Sequence, residues 1–268
     1  MTTTALPAPA HAVATRPRDG FVGTGVLLRL AIRRDRIFAS GWVLLFVAMA
    51  AGSASASASL FTTMESRLRA AAAVNDTPAT LALYGRVFDP TSLGAVSMFK
   101  LSALGAALVA LVAIFLVVRH TRAEEEAGRL ELIGATVVGR YAALTAALLM
   151  AVGTTLVLAL LTALSLIGAG LPAAGALAFG LSWAGAGIAF AAVGAVAAQV
   201  TQSARTANGL GAAVLAAAYL LRAAGDASGV DTSNWLSWLS PIGWAQQVRA
   251  FAGDRWWVLA YLVAFAVL

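Results

Sequence analysis

The densest chemistry in this chain lies at residues 119–133, RHTRAEEEAGRLELI. Four acids (Glu124, Glu125, Glu126 and Glu131) and three arginines (Arg119, Arg122 and Arg129) fall there within thirteen residues. That pattern sets no nucleophile against a base. What it offers is electrostatic docking. A short helix over about 123–133 would hold its acids at an N-terminus, where the helix dipole favours them, and leave Leu130, Leu132 and Ile133 free to dock. The competing reading is a solvated charged turn between two spans. A second cluster occupies residues 21–38. On a helical wheel Arg29, Arg33 and Arg36 share one face, and Leu27, Leu30, Ala31 and Phe38 share the other. This is the pattern of an interfacial helix on an anionic inner leaflet, either a plain anchor or a lever that also touches a partner. A third cluster, residues 223–257, holds Trp235, Trp238, Trp244, Trp256 and Trp257, five of the seven tryptophans. Indoles favour headgroup depth. Ser240 followed by Pro241 fits a cap with proline at the first helical position, so a helix is predicted from Pro241 to about residue 252. It reads as an interfacial or re-entrant element of the outer leaflet, either a gate or an aromatic anchor.

Several chemistries lack their residues. There is no cysteine, hence no disulfide, thiolate metal site or cysteine nucleophile. His11 falls in the N-terminal tail and His120 at a span end, so neither has partners for a metal. No glycine-rich loop with Lys and Ser/Thr is present, so ATP hydrolysis is not expected on this chain. No Ser/His pair falls at membrane depth for an intramembrane hydrolase. The apolar runs carry no mid-span ionisable residue, the mark of proton relays and ion pathways. The net charge of +6 could suit nucleic acid, but the arginines flank apolar runs, as membrane topology requires.

The elements that must position these clusters follow from composition. Hydrophobic residues make up 60% of the chain and charged residues 11%, with a mean hydropathy of +0.85. Soluble domains keep roughly a quarter of their residues charged, so lipid must solvate much of this chain. The reading is an all-α integral membrane protein. A disordered cytoplasmic tail (1–20) precedes a membrane domain (21–268), a six-span helical bundle with an N-terminal interfacial helix over 21–36. Spans are predicted at about 37–60, 101–118, 141–168, 174–199, 206–222 and 256–268. Residues 141–204 carry no Asp, Glu, Lys or Arg and are interrupted by GAGLP at 168–172, which predicts a helical hairpin. The fifth run is short and would use Arg222 snorkelling to the interface. The sixth is incomplete: its residues reach roughly 20 Å as a helix, against about 30 Å of hydrocarbon. Gly180, Ala184, Gly187, Ala191, Gly194 and Ala198 recur at the spacing that lets helices approach closely. With the N-terminus inside, the cytoplasmic segments hold eleven of the 18 basic residues and the outer segments seven.

Three segments carry a family likeness: RHTRAEEEAGRLELIGATVVGR, ALYGRVFDPTSLGAVSMFK and NWLSWLSPIGWAQQVRAF. Together they resemble actinobacterial type-2 ABC exporter permeases, more narrowly the polyketide-antibiotic exporters related to tetronasin-resistance proteins. The resemblance runs from about Phe21 to the C-terminus. It implies an elbow helix, bundled spans and a cytoplasmic coupling helix formed by Glu124, Glu125, Glu126, Gly128, Arg129 and Glu131. The partner would be a dimeric ATP-binding subunit that carries ATP and Mg, with no cofactor on this chain. The implied cargo is a lipophilic compound, an antibiotic or drug, exported across the bacterial cell membrane. Such permeases are typically longer, with two similar six-span halves, which makes this chain an N-terminal half or a truncated product and a second permease half a further partner. The alternative from another class is a non-transporting scaffold or regulatory partner.

Single cysteines test the orientation without background. At Thr77 and Ser228 they are expected to label from outside intact cells, and at Ala123 to be protected; labelling at Ala123 with protection at Thr77 would invert the topology.

Overall fold

The structure is a computed structural model that describes residues 20–128, 138–228 and 235–267. Every regular element among them is helical. Five helices are long and apolar enough to cross a membrane: α1 (Thr24–Leu60), α4 (Leu93–His120), α6 (Ala142–Gly168), α7 (Ala173–Val200) and α8 (Ala204–Ala227). Between them lie α2 (Met64–Asn75), α3 (Pro78–Tyr84), α5 (Arg122–Glu126), α9 (Trp235–Trp238) and α10 (Pro241–Gln247), and α11 (Val258–Val267) follows. The chain is thus an all-α, multi-spanning membrane bundle. With ten residues, α11 is too short to cross by itself.

The hairpin predicted from the charge-free run is there, close to its expected limits. The first, second and fifth predicted runs lie in longer helices, whereas the last is shorter. No glycine or proline interrupts residues 26–40, and α1 runs unbroken through the boundary expected at 36/37. One helix of roughly 55 Å therefore contains both the arginine-rich stretch and the first span. Its buried stripe is Ala31, Asp35, Val43, Phe46, Ala50, Ala54 and Ser57, while Arg29, Arg33 and Arg36 are exposed. The start of α4 is capped by Ser92, whose Oγ accepts from Ala95 N at 3.3 Å, so Lys100 lies inside the helix. Likewise Ser203 caps α8, which extends well past Arg222.

Successive long helices alternate in direction. The starts of α1, α6 and α8 and the ends of α4 and α7 share one face, termed proximal. It is tied by Gly139 N donating to Val22 O and Tyr141 N to Gly20 O, each at 2.9 Å. The distal face carries α2, α3, α9 and α10. At the centre α4 packs on α7, with α1 and α6 on one flank and α8, α10 and α11 on the other.

Lipid tails are as apolar as leucine, so helix pairing in a bilayer rests on close fit. The glycine series of α7 supplies it. A Cβ at Gly180 would collide with the Ala159 carbonyl of α6, one at Gly187 with Thr155, and one at Gly194 with the Ile114 backbone of α4. Gly105 of α4 leaves room for Trp183, which is fully buried and donates Nε1 to Leu101 O at 3.0 Å. Phe179, tilted, and Phe46, edge-on, pack against the indole, with centroids 4.8 and 5.7 Å away.

The distal face corrects the snorkelling expected of Arg222. Its side chain is fully buried and turned inward. The guanidinium donates to Ala82 O at 2.7 Å and Leu83 O at 3.3 Å at the end of α3, pairs with Asp226 at 3.2 Å and lies over the Tyr219 ring. Orphan carbonyls at a helix C-terminus attract a cation more strongly than a distant interface does.

Replacing Gly180 by Val should overpack the α6–α7 seam and remove about 1–3 kcal/mol. It should appear as a lower Tm in detergent, whereas Gly153→Ala, where an added Cβ meets nothing within 4 Å, should leave Tm unchanged or higher.

Candidate functional site

The charged residues singled out in the sequence gather at the proximal face, around a carboxylate that the sequence reading passed over. Asp35 sits on the buried stripe of α1 and is fully buried. Its Oδ2 lies 2.8 Å from His120 Nε2 and 3.0 Å from Arg119 Nε, both on the last turn of α4. Cations suit that helix end, and a buried carboxylate is tolerable only when so paired. Arg119 also covers the Phe38 ring at 5.6 Å. The cluster clamps α1 to α4 and explains why α1 continues through a charged stretch: the charge is neutralised from a neighbouring helix.

Beyond His120 the chain turns at Thr121 and enters α5. The helix expected over 123–133 is seen as Arg122–Glu126, followed by Ala127 and by Gly128 at φ +67, a left-handed conformation suited to glycine. Arg129, Leu130, Glu131, Leu132 and Ile133 lie outside the described residues. The three consecutive acids are put to different uses. Glu124 forms an ion pair with Arg34 of α1. Glu126 Oε2 accepts from Ala204 N at 2.9 Å, in the first turn of α8. Glu125 pairs within α5 with Arg122 and stays 45% exposed, against 14% for Glu124. The segment is thus a bracket between α1, α4 and α8, with Glu125 and Glu126 both exposed. Exposed Arg29, Arg33 and Arg36 occupy the same end of the bundle. This ion-pair network ties α5 to α1 and α8, and no catalytic constellation accompanies it among the described residues.

The tryptophan-rich segment lies on the distal face. Ser240 Oγ caps α10 by accepting from Gly243 N at 3.3 Å, and it donates to Ala218 O at 2.7 Å. Pro241 is at the first helical position, but α10 ends at Gln247 and most of it is buried. Its stop is a turn in which Arg249, Phe251 and Asp254 all have positive φ. That turn drives Phe251 against Gly94 and Gly175, at the starts of α4 and α7. Arg249 lies 4.4 Å over the Phe88 ring, and burial, then Arg255 and Arg86, lower its pKa from the usual arginine value. Trp238 stacks on Trp257 at 5.7 Å, and Trp244 donates Nε1 to Trp238 O at 2.6 Å. Trp235 is exposed.

Sequence reasoning also missed Asp226, whose Oδ1 accepts from Ser237 Oγ at 2.9 Å, and the buried Gln246 and Gln247. The signal for Asp35 was present. It continues the four-residue spacing that leads from Ala31 to the apolar stripe, on the face away from the arginines.

No protein-family model matches the chain. Over 261 residues, 97% of its length, it is 46% identical to a multidrug efflux system permease protein of Mycobacterium tuberculosis. The chain is a homologue of a multidrug efflux permease. It spans about half of that relative, 46% of its length. The five long apolar helices give it the build of a multi-pass membrane protein, and its similarity is to about half of a bacterial permease. Among the described residues no group of three or more His, Cys, Asp or Glu is placed to hold a metal ion.

Removing one partner from a buried ion pair strands the others. Asp35→Ala should lower stability in detergent by about 3 kcal/mol, the lower end of the usual range because Arg119 can relax into water. Arg29→Ala, exposed on the opposite face, should leave the melting curve in place.

Proposed function

We propose that the chain is the membrane subunit of an ATP-binding cassette exporter of lipophilic compounds, in the polyketide-antibiotic subgroup. A separate dimeric subunit would bind ATP and Mg and supply the power stroke. The observation that carries this reading is 46% identity to a multidrug efflux permease along almost the whole chain. The bracket at the proximal face supports it. In this reading that face is cytoplasmic, in line with the arginine bias, and Glu124, Glu125, Glu126, Gly128, Arg129 and Glu131 form the coupling element. A push on α5 would reach α1 through Arg34 and α8 through Ala204.

The proximal part of α1, with Arg29, Arg33 and Arg36, would lie at the inner leaflet. Because it is continuous with the span, tilting it would tilt the span. Trp235, Trp238, Pro241 and Trp244 would form the outer interfacial segment, and α11 the beginning of a sixth span. A second permease half would complete the translocation unit. An apolar groove of about 630 Å³ between α1 and α6, lined by residues such as Val43, Leu44, Leu149 and Val157, suits a lipophilic cargo.

The test separates docking from folding. Glu125→Lys reverses the charge of the one acid that has no tie outside α5 and leaves the Glu124 and Glu126 ties intact. It should weaken pull-down of the cognate ATP-binding subunit, and stimulation of its hydrolysis, by about tenfold, equivalent to about 1.4 kcal/mol. Membrane yield should be unchanged. Glu124→Lys and Glu126→Lys should lower yield as well, because Arg34 and the start of α8 lose their partners. Normal binding and stimulation by Glu125→Lys would remove α5 as the docking element.

A further inference from the structure

On the distal half of the bundle, the last turns of α1 with α2, α3 and the first turns of α4 border an open cavity of about 470 Å³. That volume lies inside the range of small-ligand sites, roughly 300–1,000 Å³. Its wall is divided. Phe61, Val87 and Phe99 line an apolar part, and Ser53, Ser57, Thr80, Tyr84, Ser97 and Lys100 are its polar residues. Lys100 is the chain's sole lysine, its Nζ 5.7 Å from the centre of the Phe99 ring, and it forms no ion pair with any described residue. Ser57 is 8% exposed, and its hydroxyl makes no hydrogen bond among the described residues. No Asp or Glu lines the cavity. Beside it Arg67 donates to Phe61 O and Thr91 O, each at 3.1 Å, adding positive charge with only backbone carbonyls for partners.

Lys100 is exposed and stands at the rim of this cavity, and Ser57 lies on its wall, with no carboxylate among the lining residues. The geometry points to a binding site for an amphipathic anion, one carboxylate or phosphate on an apolar body. The head lies against Lys100 and Ser57 and the body against Phe61, Val87 and Phe99. Neutral compounds fill the apolar part but gain nothing from Lys100. The site rests on the exporter reading only for the claim that its ligand is cargo. A free amphipathic acid and an anionic phospholipid share this chemistry.

The assay uses the full chain in phosphatidylcholine nanodiscs and a fluorescent probe, dansyl-aminoundecanoic acid, compared with its methyl ester. The carboxylate should bind about tenfold more tightly than the ester. Lys100→Met should abolish that preference and leave ester affinity unchanged, which also shows the fold to be intact. Lys100→Arg should keep most of the preference, and Ser57→Leu, which fills the cavity, should weaken both probes. Repetition in nanodiscs containing phosphatidylglycerol separates the sources: weaker probe binding identifies the lipid as occupant, and unchanged binding favours a free acid. Equal binding of acid and ester by the unaltered protein, or an undiminished preference in Lys100→Met, would overturn the site. No ATP-binding subunit is present, so failure here leaves the coupling reading standing, and failure of coupling leaves this result untouched.

Discussion

The contact between α4 and α7, closed by Trp183, is the constraint from which the rest of the bundle is built. The indole lies against the α4 backbone where Gly105 has no side chain, and its N–H reaches the Leu101 carbonyl. A helical carbonyl has a second lone pair, so that bond needs no break in α4. Phe46 reaches the same indole from α1, which brings a third helix to the joint. In a solvent of hydrocarbon, burying apolar surface against a neighbour gains little. Fit must then come from shape, and the glycines of α7 provide it toward α6 and α4.

Two buried polar clusters mark the ends of this core, and they do different work. At the proximal end Asp35, His120 and Arg119 join two long helices directly. At the distal end Arg222, Asp226 and Ser237 join α8 to the short helices α3 and α9. Each buried charge faces a partner on another element. Such networks add less stability than their number suggests, because desolvation offsets attraction. Their effect is geometric: each fixes which elements meet and in which register.

The same economy shapes α5. Of three adjacent acids, two fasten the segment to α1 and α8, and the third, Glu125, pairs only within α5. These two ties to its own bundle set the segment apart from a free solvated turn. They bear directly on the exporter reading supported by similarity to a multidrug efflux permease.

The sequence by itself determined the solvent, the helical class and the position of the hairpin. Lipid requires long uncharged runs and satisfied backbone groups, and these are local properties of the chain. The run predicted at 141–168 and 174–199 is found as Ala142–Gly168 and Ala173–Val200 for that reason. The acid cluster and the tryptophan segment were legible too, as composition. What only the tertiary structure decided is where each charge ends up. Asp35 looked like part of a surface stretch until it met His120, 85 residues away, and α1 then had no reason to break. Arg222 looked like a snorkelling cation until α3 offered it carbonyls about 140 residues away in sequence. Lys100 looked like the edge of a span until Ser92 started the helix earlier and placed it on a cavity wall. Periodicity reports which face a residue occupies. It says nothing of which distant group will face it, and for a charge in a membrane that partner determines whether it is buried or exposed.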